Sequence, residues 1–319
     1  MDTVVIIGNG SLGTGLSYYV KKAGFEPRFL SRDGAIEMLG FKLRAPEETV
    51  PVHVPAGTKA EIGSADLCFV TVKAYQFRLA LHQHAPLLKK GAVVIPIGNG
   101  AIDRELSEIA TTFPDLHWRL GMTTLAVTDE DKGRLALKNP DPKVLFGPRG
   151  ETEGQAPSAA ENKLTQALPK VFRWTDDIAI PYRKKWLFNT VLNSLCGVLK
   201  LGENGLVLKH QHALMRAFAE AYALAEEHWA PWPESEAAED LFGDFLQLVE
   251  STADNENSMA RDVRLKRATE TAYLAGVARN YDGYPFLLEL DGRLRGEILE
   301  PLKIDAGAPD ESDGEPGPD

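Results

Sequence analysis

Near the start of the chain four apolar residues run unbroken, Val4-Val5-Ile6-Ile7, and glycine closes the run. A short continuous apolar run of this kind predicts a strand buried on both faces. A helical stretch follows from about Leu12 to Ala23, with Gly24 as its stop signal. Further strands are predicted over Pro27–Leu30, Leu67–Val72 and Ala92–Ile97, with a helix from about Tyr75 to Leu88. Val144–Phe146 and Val171–Trp174 read as later strands, and Pro148–Lys163, rich in Gly, Pro and charge, reads as a turn or linker. Alternating β and α elements imply a parallel sheet flanked by helices. After about Asp177 the period changes for good. Trp186–Leu199, His212–His228, Ala238–Ser251 and Met259–Arg279 all carry helical spacing with no strand between them. The expected organisation is an α/β domain over 1–176, an all-helical domain over 177–304 and an acidic tail over 305–319.

Composition narrows the function classes. The 319 residues are 44% apolar and 25% charged, which fits a folded protein rather than a disordered one. The formal net charge is −11, but six of the acidic side chains lie in the last 15 residues, so the rest of the chain carries −5. That tail has no basic or aromatic residue and is expected to stay disordered, because it has too little apolar surface to offset chain entropy. Nothing basic dominates, which argues against a nucleic-acid partner. No apolar run approaches the roughly 18 residues of a membrane span, and the first residues lead into a strand rather than a secretion signal. Cys68 and Cys196 are too few for a disulfide framework and fit a reducing compartment, so a cytoplasmic location is expected.

The segment GNGSLG, Gly8-Asn9-Gly10-Ser11-Leu12-Gly13, stands between the first strand and the first helix. In that setting G-x-G-x-x-G is a dinucleotide-binding turn: one glycine makes the turn, one lets backbone approach a pyrophosphate, and one packs helix against strand. The free N–H groups and positive dipole end of the helix add to the phosphate site. The expected fold of the first domain is therefore of the Rossmann type. At the end of the second strand an acid would meet the ribose hydroxyls of NAD, whereas an arginine accommodates a 2′-phosphate. Arg32 stands there, with Asp33 one position late, so NADPH is the expected cofactor. Lys73 and Asn99 follow the strands at 67–72 and 92–97, at the rim where open α/β sheets bind ligands.

Lys185, Asn189 and Asn193 recur every four residues in RKKWLFNTVLNSL and so fall along one face of an otherwise apolar helix. A lysine and two amides are costly there unless they are hydrogen-bonded or face a ligand. Ser258 stands at the expected start of the helix SMARDVRLKRATETAYLAG, as a cap or a carboxylate contact, and Glu270 falls within it. His82 and His84, like His210 and His212, are two residues apart and point to different faces, so no metal site is expected. No G-x-S-x-G nucleophile elbow occurs.

Taken together, GNGSLG, TVKAYQ at Thr71–Gln76, GNG at Gly98–Gly100, K-x-x-x-N-x-x-x-N at Lys185–Asn193 and S-M-x-x-D-x-R at Ser258–Arg264, with Glu270 beyond, resemble the ketopantoate reductase family, from Val4 to about Gly276. The resemblance implies NADPH-dependent reduction of a 2-keto acid, 2-dehydropantoate to pantoate, in pantothenate biosynthesis. It implies Lys185 as proton donor, and Asn189, Asn193 and Ser258 as holding the keto acid. Glu270 corresponds to the acid near the nicotinamide ribose and the lysine, Asn99 to an asparagine touching cofactor and substrate, and Arg32 and Lys73 to phosphate contacts. Asn204 matches a substrate-binding asparagine once a residue is inserted. Two segments depart from the family pattern: Leu125 stands where many members are polar, and ARNYDGYPFLLEL at 278–290 replaces a common G-V-P-T-P stretch. Another hydroxyacid or opine-type dehydrogenase and a non-catalytic NADPH sensor stay open as alternatives, and so does assembly as a homodimer.

Overall fold

The apolar runs of the first half become the centre of one sheet. The strands are β1 (Thr3–Ile7), β2 (Glu26–Leu30), β3 (Leu39–Arg44), β4 (Thr49–Val54), β5 (Leu67–Val70), β6 (Val93–Pro96), β7 (His117–Thr123), β8 (Val127–Asp131), β9 (Arg134–Leu137), β10 (Val144–Pro148) and β11 (Phe172–Trp174). Seven of them form a sheet in the order β11-β10-β7-β6-β5-β1-β2, in which every neighbour pair is parallel except β7 with β10. β5 and β6 are buried at every position, as strands covered on both faces must be. Val4, Ile6, Phe69, Ile95, Phe146 and Phe172 are central to the core of this unit. The structure is a computed structural model and describes residues 2–30, 39–44, 49–131, 134–139, 141–150, 156–298 and 302.

The helices are α1 (Ser11–Lys22), α2 (Lys59–Ile62), α3 (Phe77–His84), α4 (Asp103–Thr112), α5 (Ala159–Ala167), α6 (Ala179–Leu199), α7 (Gln211–His228), α8 (Ala238–Ser251), α9 (Ser258–Arg264) and α10 (Pro285–Leu294). Two compact units result, one of residues 1–189 with 272–274, the other of 190–271 with 275 onward. The first unit thus includes the first half of α6, which lies beyond the change of texture at Asp177. In the second unit α7 buries Leu214, Phe218 and Leu224, α8 buries Leu241, Phe245 and Val249, and α10 buries Leu287 and Leu290. No helix among the described residues is long and apolar enough to cross a membrane.

Three features differ from the expected elements. A second sheet, in the order β4-β3-β9-β8, occupies segments that gave no expected strand. It lies against α1, where a Cβ at Gly15 would come within 2.4 Å of Val127. Within the expected linker, Ser158 and Glu161 form a reciprocal capping box that starts α5. The helix expected over 259–279 stops at Arg264. Lys266 takes a left-handed φ of 52°, and the Arg267 N–H donates to the Asp262 carbonyl at 2.8 Å, a Schellman ending built without glycine. Glu270 consequently lies outside any α-helix. The tail from Asp305, and residues 151–155 of the expected linker, lie outside the described residues.

Candidate active site

The glycine turn connects β1 to α1. Gly8 adopts a φ of +108°, open to glycine at little cost, and its N–H donates to the Leu30 carbonyl at 3.0 Å. The Thr71 hydroxyl sits 3.1 Å from the Ile7 carbonyl oxygen and 2.9 Å from that of Gly8, tying the turn to the end of β5. At Gly13 a Cβ would lie 2.1 Å from the Gly8 carbonyl oxygen, so only glycine lets the helix approach the turn this closely. Gly10 is the opposite case: a Cβ there would meet nothing within 4 Å. It is the N-cap of α1, with no side-chain cap and no acidic residue in the first helical turn. An open backbone at an uncapped, uncharged helix start fits a pyrophosphate. Arg32, expected at the ribose end of the site, lies outside the described residues.

Lys73 follows β5 and begins the turn at Ala74–Gln76, where its carbonyl accepts from the Gln76 N–H at 2.8 Å. The loop Gly98-Asn99-Gly100 follows β6, and three residues that carried no expected role hold it. Tyr182 of α6 donates its hydroxyl to the Gly100 carbonyl at 2.9 Å and accepts from the Ile102 N–H at 3.1 Å. Burial raises the pKa of that hydroxyl far above its ordinary value, so it remains a donor. The Tyr273 carbonyl accepts from the Ala101 N–H at 2.8 Å and from the Trp186 indole at 3.0 Å. Gly100 has a φ of +90°, and a Cβ there would be 2.6 Å from the Tyr273 Cβ. With the loop so fixed, the Asn189 amide nitrogen donates to the side-chain amide oxygen of Asn99 at 3.3 Å. Lys185 is half-buried, one turn before Asn189 on α6.

In the second unit the expected amides gather around a residue that carried no expected role. Asn257, only 2% exposed, is the N-cap of α9, and Ser258 is the first helical residue rather than the cap. The Asn257 amide oxygen accepts from the N–H groups of Met259 and Ala260 at 3.0 and 3.1 Å. Its nitrogen donates to the amide oxygens of Asn193 and Asn204, both at 3.0 Å. Asn204 in turn donates to the Thr252 hydroxyl at 3.2 Å. The tetrad N-E-N-S offers two good caps in succession, so spacing alone does not choose between Asn257 and Ser258. Glu270 is buried, and its neighbour Thr271 donates to the fully buried Asp291 carboxylate at 2.7 Å. Arg279 pairs with the other oxygen of Asp291. Among the described residues no group of three or more His, Cys, Asp or Glu could hold a metal ion.

Residues 4–151 match the family description "Ketopantoate reductase PanE/ApbA", and residues 182–281 match its C-terminal counterpart. The chain belongs to the ketopantoate reductase family. It is an oxidoreductase of the ketopantoate reductase type, on a mostly parallel sheet followed by helices. A 2-dehydropantoate 2-reductase of Vibrio cholerae is 25% identical over 280 residues, covering 86% of this chain and 88% of that one. Another, of Shigella flexneri, is 28% identical over 216 residues, 67% of each chain. In fold, the chain superposes on D-mandelate dehydrogenase solved with NADH and anilino(oxo)acetate, with a TM-score of 0.77 at 19% identity, over 92% of this chain and 98% of that one.

Proposed function

We propose that this member of the ketopantoate reductase family reduces a 2-keto acid to the 2-hydroxy acid with NADPH, and that ketopantoate is the first substrate to test. One observation carries the reading. Lys185 shares a face of α6 with Asn189, and Asn189 is bonded to Asn99 at the carboxyl end of a sheet strand. A lysine on the helix face that carries Asn189, itself bonded to a residue at that rim, supports ligand chemistry there.

NADPH, when bound, would supply the hydride. The turn at Gly8–Gly13 and the N-terminus of α1 would hold its pyrophosphate, and Lys73 and Arg32 would meet its phosphates. As negative charge grows on the carbonyl oxygen, the Lys185 ammonium offsets it and gives up a proton. Asn189 and Asn193 donate to oxygens of the keto acid, while Asn99 reaches cofactor and substrate. Ser258 and Glu270 take the roles that the family resemblance implies. Support for NADPH over NADH is Arg32 itself, an arginine where an NAD site would carry an acid.

A second reading, reduction of a different 2-keto acid, is favoured by Leu125 and by the divergent segment 278–290. The fold shared with D-mandelate dehydrogenase points the same way. The deciding experiment follows NADPH oxidation with ketopantoate and with a panel that includes pyruvate, 2-oxoisovalerate and benzoylformate. The first reading expects ketopantoate to give the highest kcat/KM. A higher value for a panel member would establish the second, and no turnover of any would overturn both.

A further inference from the structure

We infer that Asn257 is a positioning residue that fixes which way the Asn193 amide faces, making Asn193 an obligate donor to an anionic or carbonyl oxygen of the substrate. The inference rests on the 2-keto acid reading above.

The argument begins at the backbone, where donor and acceptor are never ambiguous. The N–H groups of Met259 and Ala260 can only donate, so the Asn257 atom that meets both must be its oxygen. The other end of that amide is therefore the nitrogen, which can only donate. The atoms it meets on Asn193 and Asn204 must then be their oxygens. One helix start thus dictates three amide orientations in succession.

The consequences for Asn193 and Asn204 differ. Asn204 turns its nitrogen to the Thr252 hydroxyl, so both ends of its amide have protein partners and it buttresses Asn257. Asn193 has its oxygen committed, and no described residue accepts from its nitrogen. The residue is only 7% exposed, but its nitrogen is not one of the fully buried unpartnered atoms, so its N–H groups open toward the surface and are available to a ligand. What it selects is an acceptor: a carboxylate, a carbonyl or the oxygen of a hydroxyl. An ammonium or amide N–H of the ligand would be rejected.

Asn257→Asp isolates this role from folding. Aspartate caps a helix as well as asparagine does, so the bonds from Met259 and Ala260 survive. The nitrogen is replaced by oxygen, which forces Asn193 and Asn204 each to turn a nitrogen inward; Asn193 then presents its oxygen to the substrate, while Asn204 gives up only its bond to the Thr252 hydroxyl. A hydrogen bond to a charged group is then replaced by a contact between two acceptors. KM for ketopantoate should rise by roughly 10- to 100-fold, with kcat and the NADPH dissociation constant within about threefold of the native values and the melting temperature little changed. On an Asn193→Ala background the same substitution should add almost nothing to KM, because both act through one amide. A KM unchanged by Asn257→Asp, effects that multiply in the double variant, or a large fall in melting temperature would each overturn the proposal.

A second readout needs no turnover. With asparagine side chains labelled with nitrogen-15, hydrogen exchange should be slow at the Asn257 amide and faster at Asn193 in the native protein. In Asn257→Asp the Asn193 amide should become protected. Equal protection of Asn193 in both proteins would contradict the assignment. If the native protein reduced no 2-keto acid while this exchange pattern held, the function reading would fail and the amide orientation would stand.

Discussion

Two glycines three residues apart meet opposite requirements, and the contrast shows what the cofactor turn depends on. At Gly13 a methyl group would collide with a carbonyl oxygen of the same turn, whereas at Gly10 it would project into open space. The first fixes the shape of the turn and the second leaves room for phosphate. Arg32 should favour the 2′-phosphate, so Arg32→Asp should erode the NADPH preference, lowering kcat/KM with NADPH while that with NADH holds or rises. Initial rates with both cofactors provide the check, and a native enzyme that treats them equally would remove the argument. At this scale the glycine turn and the Lys185 face were legible because both are fixed-interval patterns of the local chain. Asn257 was not, because its amide matters only through Asn193 and Asn204, more than fifty residues away in sequence. Trp186 read simply as part of an apolar helix and Tyr182 carried no reading, since apolar bulk hides a single hydroxyl or indole N–H.

Element α6 shows how one helix can serve packing and chemistry together. Its Tyr182 and Trp186 pin the loop after β6, and Asn189, less than a turn beyond Trp186, contacts the asparagine that this loop presents. Tyr182→Phe would leave the Gly100 carbonyl and the Ile102 N–H without their buried partner, at a cost of about 1–3 kcal/mol. The melting temperature should fall by several degrees, and KM for the keto acid should rise as Asn99 loses its fixed position. A phenylalanine variant with native melting behaviour and native KM would show that the hydroxyl bridge holds nothing. Element boundaries were legible only where local chemistry marked them. The α5 capping box, S-A-A-E, was readable in principle but lay within a segment dominated by Gly, Pro and charge. The end of α9 was not readable, because Lys266 takes a conformation that sequence signals reserve for glycine. The β3 and β4 strands do show period-two alternation, Leu39, Phe41 and Leu43 against Val50, Val52 and Val54, and the register pairs these positions. Pro51 within the second run weakens that signal, as it does for any strand.

At the scale of the whole molecule, the change of periodicity at Asp177 reads as a domain boundary, whereas the first compact unit runs to Asn189 and also takes in residues 272–274. A short segment that joins a distant unit leaves no mark on composition or period, since only tertiary packing recruits it. The central claim is that Lys185 performs proton transfer in 2-keto acid reduction, and one measurement bears on it most directly. Lys184 is its neighbour, also half-buried, but points about 100° away around the helix. Steady-state reduction of ketopantoate should be compared for the native enzyme, Lys185→Ala and Lys184→Ala, with NADPH binding measured on each by fluorescence. Lys185→Ala should lower kcat by roughly 10²–10⁴-fold while NADPH affinity stays within a few-fold of native, and Lys184→Ala should resemble the native enzyme. A Lys185→Ala enzyme within threefold of native kcat, or an essential Lys184, would contradict the account.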